Sequence, residues 1–222
     1  MLAVIDARRA QMVRAFRWAA ILFAGFLLIT QQVFTNGPLI EIDKWIHDLD
    51  RPKFRGISGF LIRRLDDLGL RSVTAVALLL AAFYIARRFK TWRPLNLAVL
   101  SLVSLNVVVG IFKFWLGRTK PKIGIDLLHF GGMSYPSGHA SNALLIWGML
   151  AYLIYRYAHV DRYRGRLASA GVATISLTVC IVSLIRDTHW FSDLLGGLFI
   201  GGSLLVLIIA IDRYWPSNSQ LS

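Results

Sequence analysis

The chain has 222 residues, of which 56% are hydrophobic and only 17% charged, and its mean hydropathy is +0.57. Soluble domains carry roughly 25% charged residues, so an ordinary water-soluble globule is excluded, as is a disordered chain. The single cysteine, Cys180, excludes a disulfide scaffold and a cysteine metal site. Because it lies within an apolar run, we expect it to be an inert packing residue.

The net charge of +13 raises the question of nucleic-acid binding. The basic residues flank apolar runs instead of forming a separate basic region. Such flanking is typical of membrane proteins, whose cytoplasmic loops retain positive charge. We therefore predict no nucleic-acid partner.

Six apolar segments follow one another along the chain, most of them about 18 residues long, which suits a helix crossing ~30 Å of hydrocarbon. The first is interpreted as a retained span because no convincing small-residue cleavage site follows it. The pattern predicts an all-α integral membrane protein with six transmembrane helices in one bundle, forming a single domain over residues 1–222. The segments cover residues 16–34, 72–86, 95–112, 140–157, 167–185 and 194–211.

Residues 35–71 form a long connection between the first two segments. Apolar and charged residues interleave over residues 57–70, and Trp45 lies upstream of them. The pattern predicts an interfacial amphipathic segment at the membrane surface, with Trp45 as an anchor.

Basic residues near the segment ends indicate the orientation in the membrane. By the positive-inside rule, we expect two short basic connections and both termini to face the cytoplasm, with the protein in the cytoplasmic (inner) membrane. The connections lie between segments two and three, with Arg87, Arg88, Lys90 and Arg93, and between segments four and five, with Arg156, Arg162, Arg164 and Arg166.

Three polar clusters lie at segment ends, within residues 113–121, 135–139 and 186–193. The first two share one connection, and the chain crosses the membrane twice before the third. All three are therefore predicted on one side of the bilayer, which the orientation makes extracytoplasmic. His47, His129 and His159 have no convergent partners in the sequence and are assigned no role.

The residue types in these clusters suit phosphoryl transfer. Lysine and arginine neutralise phosphate oxygens, and a helix N-terminus attracts anions. One neutral imidazole can attack phosphorus while a second protonates the leaving oxygen. His189 and Asp193 are four residues apart, so they share a helical face if the last helix begins near His189, and the carboxylate would orient the imidazole.

In these residues the chain resembles the type 2 phosphatidic acid phosphatase superfamily of integral-membrane lipid phosphate phosphatases. The family signature reads K-x6-R-P, P-S-G-H and S-R-x5-H-x3-D. Its middle part matches fully over residues 136–139, and its last part matches at His189 and Asp193. Two positions depart from the signature: Lys120 stands where the family has arginine, and Ser183, preceded by Val182, stands where the family has its second arginine.

The resemblance implies a role for each matching residue within the motif region 113–193. His189 would be the nucleophile that forms a phosphohistidine, Asp193 would orient it, and His139 would be the general acid and then the base. The resemblance implies no metal or other cofactor. The phosphate would be held by Lys113, Lys120, Ser137 and Gly138, with Arg186 and Arg118 as further candidates.

We therefore predict a hydrolase that removes a terminal phosphate from a lipid or polyprenyl (di)phosphate at the outer face of the cytoplasmic membrane, with membrane lipids as its surroundings. Prenyl diphosphates, phosphatidic acid, phosphatidylglycerol phosphate and lipid A-type phosphates fit the sequence alike. Three alternatives stay open: a phosphotransferase of the same fold, a non-catalytic binder of anionic lipid, and a transporter. The position of the charges at segment ends argues against the transporter.

Overall fold

The protein is described by a computed structural model over residues 2–158 and 161–215, with side chains from residue 8 onward. In this part of the chain, all regular structure is helical, and each of the six apolar segments falls within one helix. Short 3₁₀ turns cover Asp67–Gly69 and Pro121–Ile123. The helices are α1 (Leu2–Phe34), α2 (Pro38–Asp48), α3 (Gly56–Asp66), α4 (Arg71–Arg88), α5 (Arg93–Leu116), α6 (Gly138–Tyr157), α7 (Arg162–Ile185) and α8 (Phe191–Tyr214).

Four of the helices in the described ranges, α1, α5, α7 and α8, are each long and apolar enough to cross a membrane. A fifth span arises if α3 and α4, which meet at an angle of 56° across a 3₁₀ turn, are counted as one bent element. Helix α6 has 20 residues, and its first turn carries polar side chains. The protein is thus an all-helical, multi-pass membrane protein, while six spans and a surface-lying 57–70 segment remain predictions.

Helix α6 lies at the centre of the bundle, in contact with α4, α5, α7 and α8, and α8 also packs along α1. Two glycines of α8 allow its close approach to α6. A Cβ atom on Gly197 would lie 2.5 Å from the carbonyl oxygen of Ser137, and one on Gly201 would lie 2.9 Å from that of Ser141. Small residues at this four-residue spacing let helix backbones meet in membranes. They bring the N-terminus of α6 against the first turns of α8.

The connection between α5 and α6 folds back on the end of α5. Gly117 ends α5 in the left-handed region, with φ +54°, a conformation that favours glycine. Backbone hydrogen bonds then join Thr119 to Leu127 at 3.0 Å and Ser134 to Arg118 at 3.0 Å. The connection therefore carries the 113–121 and 134–139 residues to the same end of the bundle, next to the start of α8.

Candidate active site

His189 and Asp193 meet at the N-terminus of α8. The helix begins at Phe191, so His189 precedes it, and the contact arises from the helix cap instead of from a shared helical face. Asp193 accepts the backbone N–H of Trp190 at 3.0 Å, and His189 Nδ1 lies 3.4 Å from the same carboxylate oxygen. The side chain of Asp193 is fully buried, and His189 is 6% exposed. If Nδ1–H of His189 donates to Asp193, the lone pair of that ring lies on Nε2.

His139 approaches this pair from the second residue of α6. Its ring centroid lies 6.0 Å from that of His189, with the ring planes inclined by 58°. The Ser137 hydroxyl caps α6 by accepting the Ala140 N–H at 3.3 Å, while the Ser137 N–H donates to the Asp193 carbonyl oxygen at 2.9 Å. The cap of one helix is thus bonded to the first turn of the other, which holds the two imidazoles at this spacing.

The protonation of His139 is influenced by its surroundings. The residue precedes the apolar 140–157 segment, and burial is the main cause that lowers its pKa below the ordinary value of 6.5. Asp66 opposes this by raising the pKa, while His189, Lys120 and Arg186 lower it further. At neutral pH the neutral imidazole is therefore favoured, which is the form that can accept a proton.

The predicted phosphate-binding residues lie around these rings. Lys113, in the last turn of α5, donates from Nζ to the Met133 carbonyl oxygen, and it lies within electrostatic range of Asp193 and Lys120. Lys120 is exposed, and Gly138 is the first residue of α6. These placements agree with the predicted site, although their binding of phosphate stays a prediction.

Arg118 lies elsewhere than the sequence analysis expected. Its guanidinium is fully buried, and its five N–H donors are taken by protein acceptors: Asp126 at 2.8 and 2.6 Å, Asp43 at 2.7 Å, Asp193 at 2.7 Å and the Ser192 hydroxyl at 2.7 Å. A guanidinium has five such donors and no more. The prediction that Arg118 binds substrate phosphate is therefore wrong, because this side chain instead joins three carboxylates behind the histidines.

Ser183, at the position where the resemblance has an arginine, is connected to Arg186 through a shared carboxylate. Its hydroxyl donates to Asp66 Oδ1 at 3.1 Å, and Arg186 Nη1 binds the other oxygen of Asp66. Arg186 and Asp66 both act electrostatically on His139. The guanidinium therefore lies near the imidazoles, where its binding of phosphate remains a proposal.

Several residues at this end of the bundle were missed by the sequence analysis. Ser134 donates to Asp193, while Asp43, on α2, accepts the Ser192 N–H at 2.8 Å and pairs with Arg118. Asp43 lies among apolar residues of the 35–71 connection, which could have indicated a buried role. A charge at such a position is more often solvated, so the sequence did not identify it. The ion pair of Asp126 with Arg118 could not be predicted from their spacing in sequence, because it depends on how the connection between α5 and α6 folds.

His47 also has a partner, contrary to expectation. Its Nδ1 lies 3.0 Å from Asp187, and its ring centroid is 5.3 Å from that of Trp190, just after His189. His129 contacts the ring of Phe34. His159 lies outside the described residues.

Two known proteins are similar to this chain. The chain is 27% identical over 124 residues to phosphatidylglycerophosphatase B of Bacillus subtilis (strain 168), an alignment that covers 56% of this chain and 60% of that protein. The chain thus matches less than two thirds of the length of this relative. The fold is similar to a crystal structure described as the first transmembrane PAP2 type phosphatidylglycerolphosphate phosphatase from Bacillus subtilis, with a TM-score of 0.76, 20% identity, and coverage of 87% of this chain and 94% of that one.

The family model described as PAP2 superfamily matches residues 94–216, which include all three polar clusters and both histidines of the pair. The match covers more than half of the 222 residues. The resemblance found in the sequence motifs is confirmed, and the chain belongs to the PAP2 superfamily.

Proposed function

We propose that this protein hydrolyses the terminal phosphate of a lipid or polyprenyl (di)phosphate through a phosphohistidine on His189, without a metal ion. The observation that carries the proposal is the pair of imidazoles 6.0 Å apart, one of them next to a buried carboxylate. A nucleophile approaches its target atom to about 3–3.5 Å and a general acid bonds at about 2.6–3.2 Å, so rings at this separation can act on one phosphoryl group.

In the first half-reaction, Nε2 of His189 attacks the terminal phosphorus, and the bond from phosphorus to the leaving oxygen breaks. His139 gives a proton to that oxygen from its protonated form, which is the less populated form at neutral pH. Asp193 stabilises the positive charge that develops on the His189 ring.

In the second half-reaction, His139 has lost its proton and removes one from a water molecule. The water oxygen attacks the phosphohistidine, the phosphorus–nitrogen bond breaks, and inorganic phosphate leaves. The lowered pKa of His139 suits this step, because it favours the neutral imidazole, which can accept a proton, at neutral pH.

The phosphate would be neutralised by Lys113 and Lys120, with Arg186 as a further cation, and would accept backbone hydrogen bonds at Gly138, where α6 begins. A helix N-terminus favours an anion through its free N–H groups and its dipole. The apolar chain of the substrate would lie along the outer surface of the bundle. Because the aligned relative is named phosphatidylglycerophosphatase B, phosphatidylglycerol phosphate is a suitable first substrate to test.

The reaction would take place at the outer face of the cytoplasmic membrane, with six spans and both termini in the cytoplasm. An added cysteine at Lys122 tests this topology in intact cells, since the exposed Lys122 lies in the connection that carries the cluster, whereas Cys180 is buried. Labelling by an impermeant thiol reagent is expected. Protection of the new cysteine in intact cells, with labelling after lysis, would reverse the orientation.

Phosphate release by purified protein in detergent with EDTA tests the chemistry. We expect wild-type protein to release phosphate, and His189→Ala and His139→Ala to lose about 10²–10⁴-fold or more in kcat, the contribution typical of such groups. His129→Ala is the matched control. His129 is exposed and lies in the connection between α5 and α6, and among the aromatic rings described it contacts that of Phe34 and not those of His139 and His189. Wild-type activity in both His189→Ala and His139→Ala would refute the assignment of the two histidines as catalytic residues.

Chemical stability of the bound phosphate tests the intermediate. An acid-labile, alkali-stable phosphate on the wild-type chain, missing from His189→Ala, would identify the phosphohistidine.

A further inference from the structure

A cleft lies beside the candidate site, between α3, the irregular segment 49–55 and the end of α7. Its volume is about 540 Å³, within the range of roughly 300–1,000 Å³ for small-molecule sites. Its lining is strongly basic, with one acidic residue. The charged residues that line it are Asp50, Arg51, Lys53, Arg55, Arg63 and Arg186.

Two of these cations are already paired. Arg51 binds Asp187 at 2.5 Å, and Arg186 binds Asp66. The other three, Lys53, Arg55 and Arg63, form no ion pair within residues 2–158 and 161–215. These three cations outnumber Asp50, the acidic residue of the lining, so the cleft has an excess of positive charge that attracts an anion.

The cleft is adjacent to the imidazole pair. Arg186, which lines the cleft, lies three residues before His189 and acts electrostatically on His139. Arg51 on the other wall is bonded to Asp187, two residues before His189. These two arginines therefore connect the walls of the cleft to the segment that carries His189.

The segment that carries these cations is held in place by its neighbour α3. A Cβ atom on Gly59 would lie 2.9 Å from the Phe54 carbonyl oxygen, so only glycine allows this close approach. On the opposite side of α3, Ile57, Phe60 and Leu61 are at least half exposed. Helix α3 thus presents Arg63 to the cleft and an apolar face to its surroundings, as expected where a lipid bears an anionic headgroup.

We propose that this cleft binds a second phosphate group, one that stays on the leaving part of the substrate after the terminal phosphate is removed. The inference rests on the proposed function and narrows its substrate class to lipids with two phosphorus-bearing anions, such as a prenyl diphosphate or a phosphatidylglycerol-type headgroup phosphate. A lipid monophosphate leaves a neutral hydroxyl, which gains nothing from three further cations. Lys113 and Lys120 near the histidines would neutralise the terminal group, and the cleft would neutralise the second one.

Substrates matched in their chain test the proposal. We compare prenyl diphosphate with the prenyl monophosphate of the same length, in neutral detergent without anionic lipid. The double variant Arg55→Gln/Arg63→Gln is expected to lower the ratio of kcat/KM for diphosphate over monophosphate roughly tenfold through KM, the size expected for losing one or two exposed charge-assisted contacts. Monophosphate turnover should stay at the wild-type level.

The matched control is Lys44→Gln/Lys122→Gln, which removes the same charge from exposed residues outside the cleft. We expect it to leave the ratio unchanged. An unchanged ratio in the Arg55→Gln/Arg63→Gln variant would overturn the proposal. An equal loss for both substrates would also overturn it, because the cleft would then attract anionic surfaces in general.

Equilibrium binding separates this inference from the proposed function. If wild-type protein releases no phosphate from either lipid, the proposed function fails. Tighter binding of the diphosphate than of the monophosphate, weakened by Arg55→Gln/Arg63→Gln, would still support the cleft. Equal binding of the two lipids would refute it.

Discussion

Helix α8 carries a buried aspartate near each end, and the two aspartates differ in the side chains that surround them. Asp193, in the first turn, accepts hydrogen bonds from Arg118, Ser134 and the Trp190 N–H. Asp212, in the last turn, has a fully buried side chain as well. Its contacts come from α5 and α6.

Asp212 pairs with Arg93 at 2.5 Å and with Arg156 at 3.1 Å, and it accepts the Tyr152 hydroxyl at 2.6 Å. This joins α5, α6 and α8 at the end of the bundle away from the histidines. A buried carboxylate held by arginine therefore marks both ends equally, so it does not identify a catalytic site by itself. The distinguishing feature of the Asp193 end is the imidazole next to the carboxylate, with a second imidazole opposite.

The comparison is tested most strongly by Asp193→Asn. We expect kcat for phosphate release to fall by about 10³–10⁴, by analogy with the loss when the orienting aspartate of a catalytic triad is replaced by asparagine. The amide can no longer stabilise the positive charge on His189. Steady-state kinetics on folded, monodisperse protein measures this. If the variant retained a tenth or more of the wild-type kcat, Asp193 would not be the residue that orients His189.

Asp212→Asn is the counterpart at the other end of the helix. We expect it to lower the free energy of unfolding by about 3–5 kcal/mol, because Arg93 and Arg156 would lose a buried partner. The kcat of the folded fraction should remain that of wild type. Thermal unfolding in detergent alongside kinetics measures both. A loss of kcat without a loss of stability would mean that the two ends are not functionally distinct.

Gly197→Ala tests the contact that joins α8 to the α6 cap. The new Cβ would lie 2.5 Å from the Ser137 carbonyl oxygen, so we expect a destabilisation of about 1–3 kcal/mol and a fall in kcat as the imidazoles separate. Gly171→Ala in α7 is the control, since no atom outside the adjacent backbone of its own helix lies within 4 Å of its Cβ position. That variant should be unchanged, or more stable by about 0.5–1 kcal/mol. Equal unfolding temperatures for the two variants would contradict the packing argument.

The smallest expected effect concerns pH. The pKa of His139 is lower in the folded protein than the ordinary 6.5 of an unfolded chain, so below pH 6.5 the unfolded state binds the proton first. Folding stability from this group is therefore lost as the pH falls, by at most about 1.4 kcal/mol per pH unit. His139→Gln should lose less stability than wild type between pH 8 and pH 5.5, measured by thermal unfolding. Parallel curves would refute the lowered pKa.

Much of the helical layout could be predicted from sequence, because membrane-length apolar segments are recognisable without tertiary contacts. The meeting of His139 with His189 also followed from the sequence, because the two predicted membrane crossings between them return the chain to the same side. The helix cap between His189 and Asp193 was not predicted, because the four-residue spacing fits both a helical face and a cap. Only the exact start of α8 at Phe191 decides between them.

The buried network around Arg118 was beyond sequence reasoning for a different reason. Arginine in a basic cluster near a membrane surface resembles an anion-binding residue, and only the fold of the 117–137 connection brings Asp126 within reach of its guanidinium. Asp43 comes from another helix, 75 residues away in sequence. Long-range pairing of this kind leaves no local periodicity to detect.

The glycine contacts between α6 and α8 have a consequence for how the protein responds to its bilayer. Because Gly197 and Gly201 admit the α6 backbone so closely, axial sliding of one helix past the other would drive carbonyl oxygens into side chains. A bilayer thinner than the hydrophobic length of the helices is accommodated by an increase in their tilt. The two helices should then tilt together as one rigid unit, so that membranes of different thickness would reorient the histidines without pulling them apart.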